Sequence, residues 1–562
     1  MTAADSKKLG WMIFLAAVFV YFGALWHRPL FAPDEVRYAL IPREMLQSGN
    51  FAVPTLNGLT YFEKPSPAYW LTAGMMKLLG PTPFAVRLPS ALFTLLTAGA
   101  VYLLGTRADS RKTGITAALL YLCSGLVFAV GTYAVLDAPF VFCVTAATAL
   151  GYIYFTEKSL LRSLFLLLAA GIFLGAGTMI KGLLAPLLTG LAMTGFLFWK
   201  KAFSKWFLAL LPVLCGMALA AVPCVLFVHR HAPAFWKEFI LTEHLSRAFS
   251  GQGAADDRAQ PFWYYIPVFA GTFLPVLFLA LPGLASVRKN WKDFFLKDDF
   301  NFFCAITLVL WFIFFSAVSA KLGTYILPLF PFAALLTART LKGGEDLETV
   351  RKISRLFRLL LPVLGSSIVL FIIWHLLPVV PGRWKLYTPS ELLPAGMTGA
   401  LLLLWYGMAA KEQDIFPERK FFYFCLGTGV VMLSIHHIMP QKIVRQHNSP
   451  AFIRRAVLPR LRPGAVILAD GKMASSAAWV LNRDVHVYSR PGELAPGLAR
   501  AGKKAVSPQD LKKMIPDTLA RGGQLVIIVN FPARLKDMPP YAGKTVTRSG
   551  RMAAVFYGEN SQ

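Results

Sequence analysis

With 562 residues, 56% of them hydrophobic and only 15% charged, the chain is too apolar for a soluble globular protein. The formal net charge of +28 does not point to nucleic acid. Most basic residues sit in short loops between apolar blocks, where they orient helices, and no DNA-binding motif or aromatic–basic strand platform is present.

The apolar blocks in chain order are 10–28, 84–106, 113–132, 137–155, 163–180, 183–199, 206–228, 263–285, 302–318, 322–338, 359–380, 391–410 and 420–439. Each is long enough, or nearly so, to cross about 30 Å of hydrocarbon. They predict an α-helical, polytopic membrane protein with thirteen spans. The first block has no small-residue cleavage site after it and reads as an uncleaved signal anchor. All six cysteines fall inside apolar blocks, which excludes a disulfide framework or a CxxC metal site in the polar C-terminal region.

Loop charges orient the spans. Lys7 and Lys8 precede the first block and are expected inside. Alternation then places Arg107/Arg111/Lys112, Lys158/Arg162, Lys200/Lys201/Lys205, Arg288/Lys289/Lys292, Arg351/Lys352/Arg355/Arg358 and Arg419/Lys420 on that same side. This is the positive-inside pattern throughout. The outer side receives the loops 29–83 and 229–262, the short turns at Asp137, Lys181 and Lys321, and the region after 439. The expected organisation is a membrane domain over 1–439 and an outer α/β domain over 440–562. In the latter, strands are predicted at Ala465–Ala469, Val485–Tyr488, Leu525–Val529 and Ala553–Tyr557, with a helix at Ser475–Leu481. No phosphate-binding glycine loop occurs there, so no catalysis is assigned to it. Residues 441–562 hold 20 Lys/Arg against 7 Asp/Glu, a balance suited to lipid headgroups.

The outer loops carry the chemistry. Asp34, Glu35 and Arg37 follow the first span directly; adjacent carboxylates are costly near lipid unless solvated or paired, and Asp34 also reads as a helix N-cap. Tyr61-Phe62-Glu63-Lys64-Pro65 lies in an aromatic stretch ending at Tyr69-Trp70, as in short interfacial helices. Asp137, followed by Pro139, opens the fourth span in an arrangement that also suits a helix cap. Lys181 and Lys321 stand on tight outer turns, against the charge bias, although a lysine there can also snorkel to headgroups. The second long loop holds Glu243-His244 and Arg247 before a Gly/Ala run. His244 with Glu63 would make an incomplete divalent-ion pair. Together, carboxylates and cations from at least five segments on one side suit a reaction that releases a lipid phosphate.

These motifs resemble the bacterial lipid A aminoarabinose transferases. The pattern Asp34-Glu35-x-Arg37-Tyr38, then Tyr61-Phe62-Glu63-Lys64-Pro65 and Tyr69-Trp70, carries the likeness. Leu136-Asp137-Ala138-Pro139, Glu243-His244 and Lys321-x-x-x-Tyr325-x-Leu327-Pro328 extend it over nearly the whole chain. One departure is Ser66, where the family often has a second proline. The family belongs to the GT-C membrane glycosyltransferases and is related to protein O-mannosyltransferases.

The resemblance implies transfer of 4-amino-4-deoxy-L-arabinose from undecaprenyl phosphate to lipid A phosphate, at the periplasmic side of the bacterial inner membrane, with resistance to polymyxin and other cationic peptides. It implies Asp34 as the leading carboxylate, Asp137 as its partner and Glu35 beside them. Lys64 and Arg37 would bind the donor phosphate, Tyr61 and Tyr325 would line that pocket, and Lys181, Arg247 and Lys321 would add substrate contacts. Glu63 and His244 match a zinc pair, although no cofactor is expected to be required; zinc or another divalent cation is the metal implied. A monomer that meets donor, acceptor and membrane lipids is expected. The alternatives are a GT-C transferase moving another polyprenyl-linked sugar to a glycan or protein and, more remotely, a transporter, which would show inverted repeats and midplane charges.

Overall fold

The computed structural model describes residues 14–26, 28–240, 259–343, 417–438, 448–530 and 544–558, with short pieces at 373–374, 391–394, 396–397, 399–400, 444 and 538–539. The chain divides into two compact units. One comprises Met1–Trp26, Arg87–Ile373 and Ala395–Ile435; the other comprises His27–Val86, Trp374–Pro394 and His436–Gln562. The first outer loop therefore belongs to the same unit as the C-terminal region.

In the first unit, long apolar blocks form single helices except where the backbone is interrupted. Among the described residues, five helices are long and apolar enough to cross a membrane: Pro83–Ala108, Asp137–Thr156, Leu160–Lys181, Phe203–His231 and Asp299–Ala317. Two further blocks are bent. Arg111–Leu122 meets Gly125–Gly131 at 68°, and Phe262–Thr272 meets Leu277–Ala285 at 100°. The second bend contains Pro275, which has no N–H to continue a helix. The two bends satisfy each other: the Gly125 N–H donates to the Leu274 carbonyl at 2.9 Å. Exposed backbone cannot be left unpaired in hydrocarbon.

Shorter apolar helices lie at Phe14–Gly23, Leu184–Trp199, Leu329–Leu341 and Phe424–Leu433. All the expected blocks but two thus fall on helices; most of 359–380 and most of 391–410 lie outside the described residues. The block expected to begin at 322 becomes helical only at Leu329, after a 3-10 turn over Gly323–Ile326. Pro328 and Pro331 fit the shift, since a proline is best accommodated at or before a helix's first turn.

Small residues bring two of these helices into contact. A Cβ on Gly171 would stand 2.2 Å from the Val213 carbonyl oxygen, and one on Gly216 would stand 2.2 Å from that of Leu168. Any side chain there would separate helices Leu160–Lys181 and Phe203–His231, as in other glycine seams between membrane helices. Deeper in the unit, Tyr152, Phe196 and Phe303 pack ring against ring, and the buried Trp311 indole donates to the Leu188 carbonyl at 2.6 Å.

The second unit is mixed α/β. Helices Asp34–Ser48 and Pro67–Leu79 flank a two-stranded ribbon, β1 (Thr55–Leu56) and β2 (Leu59–Thr60). The turn between them, Asn57-Gly58, has φ values of 56° and 67° at its two positions. Asn-Gly is the favoured pair for such a turn. A five-stranded sheet comprises β3 (Val466–Ala469), β4 (His486–Val487), β5 (Leu525–Val529), β6 (Thr545–Ser549) and β7 (Met552–Tyr557), in the order β4-β3-β5-β7-β6. β3 is parallel to β4 and β5, while β7 runs antiparallel to β5 and β6. All four expected strands are present, with ends shifted by a residue or two at some of them. The addition is β6, whose alternating Thr545-Val546-Thr547 and following glycine turn carried a strand signal.

Within this unit the first loop and the C-terminal fold are tied by directed bonds. Arg43 donates to the carbonyls of Trp479 (2.6 Å) and Ala478 (2.8 Å) and lies over the Trp479 ring. The Asn57 amide exchanges two 2.9 Å hydrogen bonds with the backbone of Val485. Arg500 donates to the Thr60 hydroxyl and carbonyl and covers the Phe62 ring.

Candidate active site

Within the second unit, helix Asp34–Ser48 begins one residue after Pro33, which occupies the N-cap position without a side-chain bond. Asp34 therefore does not cap the helix, contrary to expectation. It sits in the first turn, where a carboxylate is favoured by the helix dipole. One turn on, Arg37 reaches back to it at 2.6 Å. Asp34 stays 50% exposed while Arg37 is only 12% exposed.

Arg37 is held on three sides. Its guanidinium donates to the Tyr61 hydroxyl at 3.2 Å and makes an ion-pair contact with Glu493 at 3.1 Å. Burial works against its charge, but Glu493, with Tyr61, Tyr38 and Asp34, outweighs that and holds its pKa above the ordinary arginine value. Burial likewise raises the Tyr61 phenol, partly opposed by Arg37, so Tyr61 remains a neutral phenol that accepts from Arg37. Glu493 was missed from sequence. Its signal was its sign, an acid in a strongly basic region.

Glu35 has a different place. Its side chain is fully buried, pairs with Arg28 at 2.5 Å and accepts the Phe31 N–H at 2.9 Å. A carboxylate enclosed in this way braces the loop start and cannot meet substrate. That corrects its expected catalytic role. Next to Tyr61 in the chain, Glu63 and Lys64 are half-buried, and the Lys64 ammonium donates to the Glu63 carbonyl at 3.0 Å.

The first unit holds a second cluster. Asp137 opens helix Asp137–Thr156 and Lys181 closes helix Leu160–Lys181. Acid at a helix start and base at a helix end are the orientations the dipoles favour. Their side chains pair at 2.8 Å and are 14% and 16% exposed. Asp137 thus points to a partner rather than capping its own helix, since Leu136 is the N-cap residue. The Lys181 ammonium also stands 5.4 Å from the Phe140 ring centre and 5.7 Å from that of Tyr325. Two aromatic faces and a carboxylate thus hold one cation in place.

Lys321 is 4% exposed and donates to the Gln260 carbonyl at 2.9 Å. Burial pushes its ammonium pKa below the ordinary lysine value. His244 and Arg247 lie outside the described residues, so of the expected metal pair only Glu63 is placed. Among the described residues no three His, Cys, Asp or Glu side chains gather as a metal site.

Residues 9–239 match the family described as dolichyl-phosphate-mannose-protein mannosyltransferase. The chain is 32% identical to the undecaprenyl phosphate-alpha-4-amino-4-deoxy-L-arabinose arabinosyl transferase of Edwardsiella ictaluri, covering 98% of this chain and 99% of the relative. It is 30% identical to the protein of the same name from Erwinia tasmaniensis, over 97% of this chain and 99% of the relative. Its fold is similar to that of ArnT from Cupriavidus metallidurans bound to undecaprenyl phosphate, with a TM-score of 0.79, 20% identity and coverage of 99% and 98% of the two chains. With identity of this level sustained along its whole length, the chain belongs to the undecaprenyl phosphate-4-amino-4-deoxy-L-arabinose arabinosyl transferase family, of the GT-C membrane fold.

Proposed function

We propose that the protein transfers 4-amino-4-deoxy-L-arabinose from undecaprenyl phosphate to a phosphate group of lipid A. It does so at the periplasmic face of the bacterial inner membrane and thereby confers resistance to cationic peptides such as polymyxin. The observation that carries this reading is Asp34: a half-exposed carboxylate beside a cation, Arg37, that is itself fixed by Tyr61 and Glu493. The family's named donor supplies the substrate class.

In the reaction, an anionic oxygen of the acceptor phosphate attacks the anomeric carbon of the sugar. The bond from that carbon to the undecaprenyl phosphate oxygen breaks, and the electron pair leaves with the lipid phosphate. No proton need move, because the acceptor is already anionic near neutral pH. Asp34 acts by geometry and by stabilising positive charge that develops on the sugar. Arg37 and Lys64, with Arg247 and Lys321 as further contacts, bind phosphate, and Tyr61 and Tyr325 line the pocket. Asp137 holds the Lys181 ammonium in place. Glu63 and His244 are the residues to which a zinc ion or other divalent cation would bind if one is present, and transfer does not require it.

The topology of this reading is thirteen spans with the C-terminal α/β fold on the outer side, supported by the one-sided distribution of basic loops. A monomer suffices. The test is mass spectrometry of lipid A from cells with and without the gene. A gene-dependent, phosphate-linked pentosamine is the expected result; unchanged lipid A alongside a changed glycan or glycoprotein would replace the acceptor.

A further inference from the structure

Helix Asp137–Thr156 is preceded by a non-helical linker. Leu136 is the N-cap residue and its carbonyl accepts the Phe140 N–H, so Val135 lies before the helix and outside its hydrogen-bond ladder. Ser90, on helix Pro83–Ala108, bonds to both polar groups of the Val135 backbone. Its hydroxyl donates to the Val135 carbonyl at 3.1 Å and accepts the Val135 N–H at 3.5 Å. Both polar groups of one linker residue are therefore held by a single side chain that is 2% exposed. Val135 lies two residues before Asp137, on the non-helical stretch that delivers it to Lys181. One turn earlier on Ser90's helix, the fully buried Arg87 donates to the Leu25 carbonyl at 2.9 Å. That helix thus acts as a rail for backbone from two other segments.

We propose that Ser90 is a positioning residue for the reaction: it clamps the Val135 backbone through both its carbonyl and its N–H and so sets where the Asp137 carboxylate meets Lys181. The inference rests on the role given to Asp137 above. A hydroxyl at residue 90 is what the position requires. Without it the part-buried Val135 carbonyl and N–H lose this partner, and the linker shifts to find others. Displacement of a reacting group by about 1 Å costs on the order of 100-fold in rate.

The test uses the full-length protein in detergent or nanodiscs, with the undecaprenyl-phosphate-linked aminosugar as donor and lipid A as acceptor. Ser90→Ala is expected to lower kcat by about 10- to 100-fold while donor KM moves by less than about two-fold. Ser90→Thr, which retains the hydroxyl, is expected to restore most of the rate. In an Asp137→Glu background, where the carboxylate is already displaced, Ser90→Ala should cost little more. A wild-type kcat in Ser90→Ala, or the same fold-loss in both backgrounds, overturns the inference. Full activity of Asp137→Asn would instead remove Asp137 from the reaction, a separate failure that takes the premise with it.

Discussion

The Glu493 carboxylate lies 3.1 Å from the Arg37 guanidinium, so the C-terminal fold contributes an acid to the arginine that braces Asp34. The contact comes from a short turn, Gly492–Leu494, packed within the same unit as the first loop. It ties the C-terminal region, which lacks a phosphate loop, to the arginine beside Asp34.

Glu493→Ala is expected to lower kcat by about 10-fold or more, since a buried cation loses one of its counter-charges and the Asp34 contact with it. Glu493→Asp should lose less. Steady-state assays of both variants, with Arg37→Lys for comparison, check the claim. Wild-type kcat in Glu493→Ala would show that Arg37 is held well enough without it.

Asp34→Asn preserves shape and removes charge. Transfer is expected to fall below detection while the protein keeps its melting midpoint and binds undecaprenyl phosphate as before. Lys64→Ala should act differently, raising donor KM more than it lowers kcat. Equal donor affinity in that variant would exclude Lys64 from the phosphate.

A further ion-paired cluster, around Arg339, bears on stability. Arg339 pairs with both Asp109 and Asp298 and donates to the Asn301 side chain at 2.8 Å. It joins the loop at Asp109, the start of helix Asp299–Ala317 and the helix Leu329–Gly343. Arg339→Met leaves two carboxylates without their cation. Because Asp298 is 36% exposed, the cost should fall short of that for a fully buried pair, at roughly 2–3 kcal/mol. A lower thermal midpoint in detergent is the readout.

Glu44 sets a pH dependence for the second unit. Burial raises its carboxyl pKa above the ordinary value of 4.5, and Asp484 adds to the shift, while hydrogen bonds from Thr55, Asn57 and Gly58 oppose it. The folded state therefore holds this proton more tightly than the unfolded chain does. The resulting stabilisation is complete below pH 4.5 and is lost as pH rises through the higher folded value. Glu44→Gln should flatten the stability profile across that interval, read by tryptophan fluorescence during unfolding. An unchanged slope would place the titration elsewhere.

The sequence by itself determined the membrane class, the positions of most helical blocks, the strands of the C-terminal region and the charged positions Asp34, Arg37, Asp137 and Lys181, which the structure pairs as Asp34–Arg37 and Asp137–Lys181. These are local properties. Hydrocarbon demands long apolar runs, strands demand alternation, and a charge beside an apolar run stands out where it is. Even the Asn57-Gly58 turn was legible in principle from its two residues. What each charge does was decided only in three dimensions. Glu35 and Asp34 are neighbours in sequence, yet one is sealed against Arg28 and the other is half exposed, because successive helix positions face different surroundings. Glu493 reaches Arg37, Ser90 reaches Val135 and Arg339 reaches Asp109 across long stretches of chain. Such pairings come from packing geometry, which no local spacing encodes.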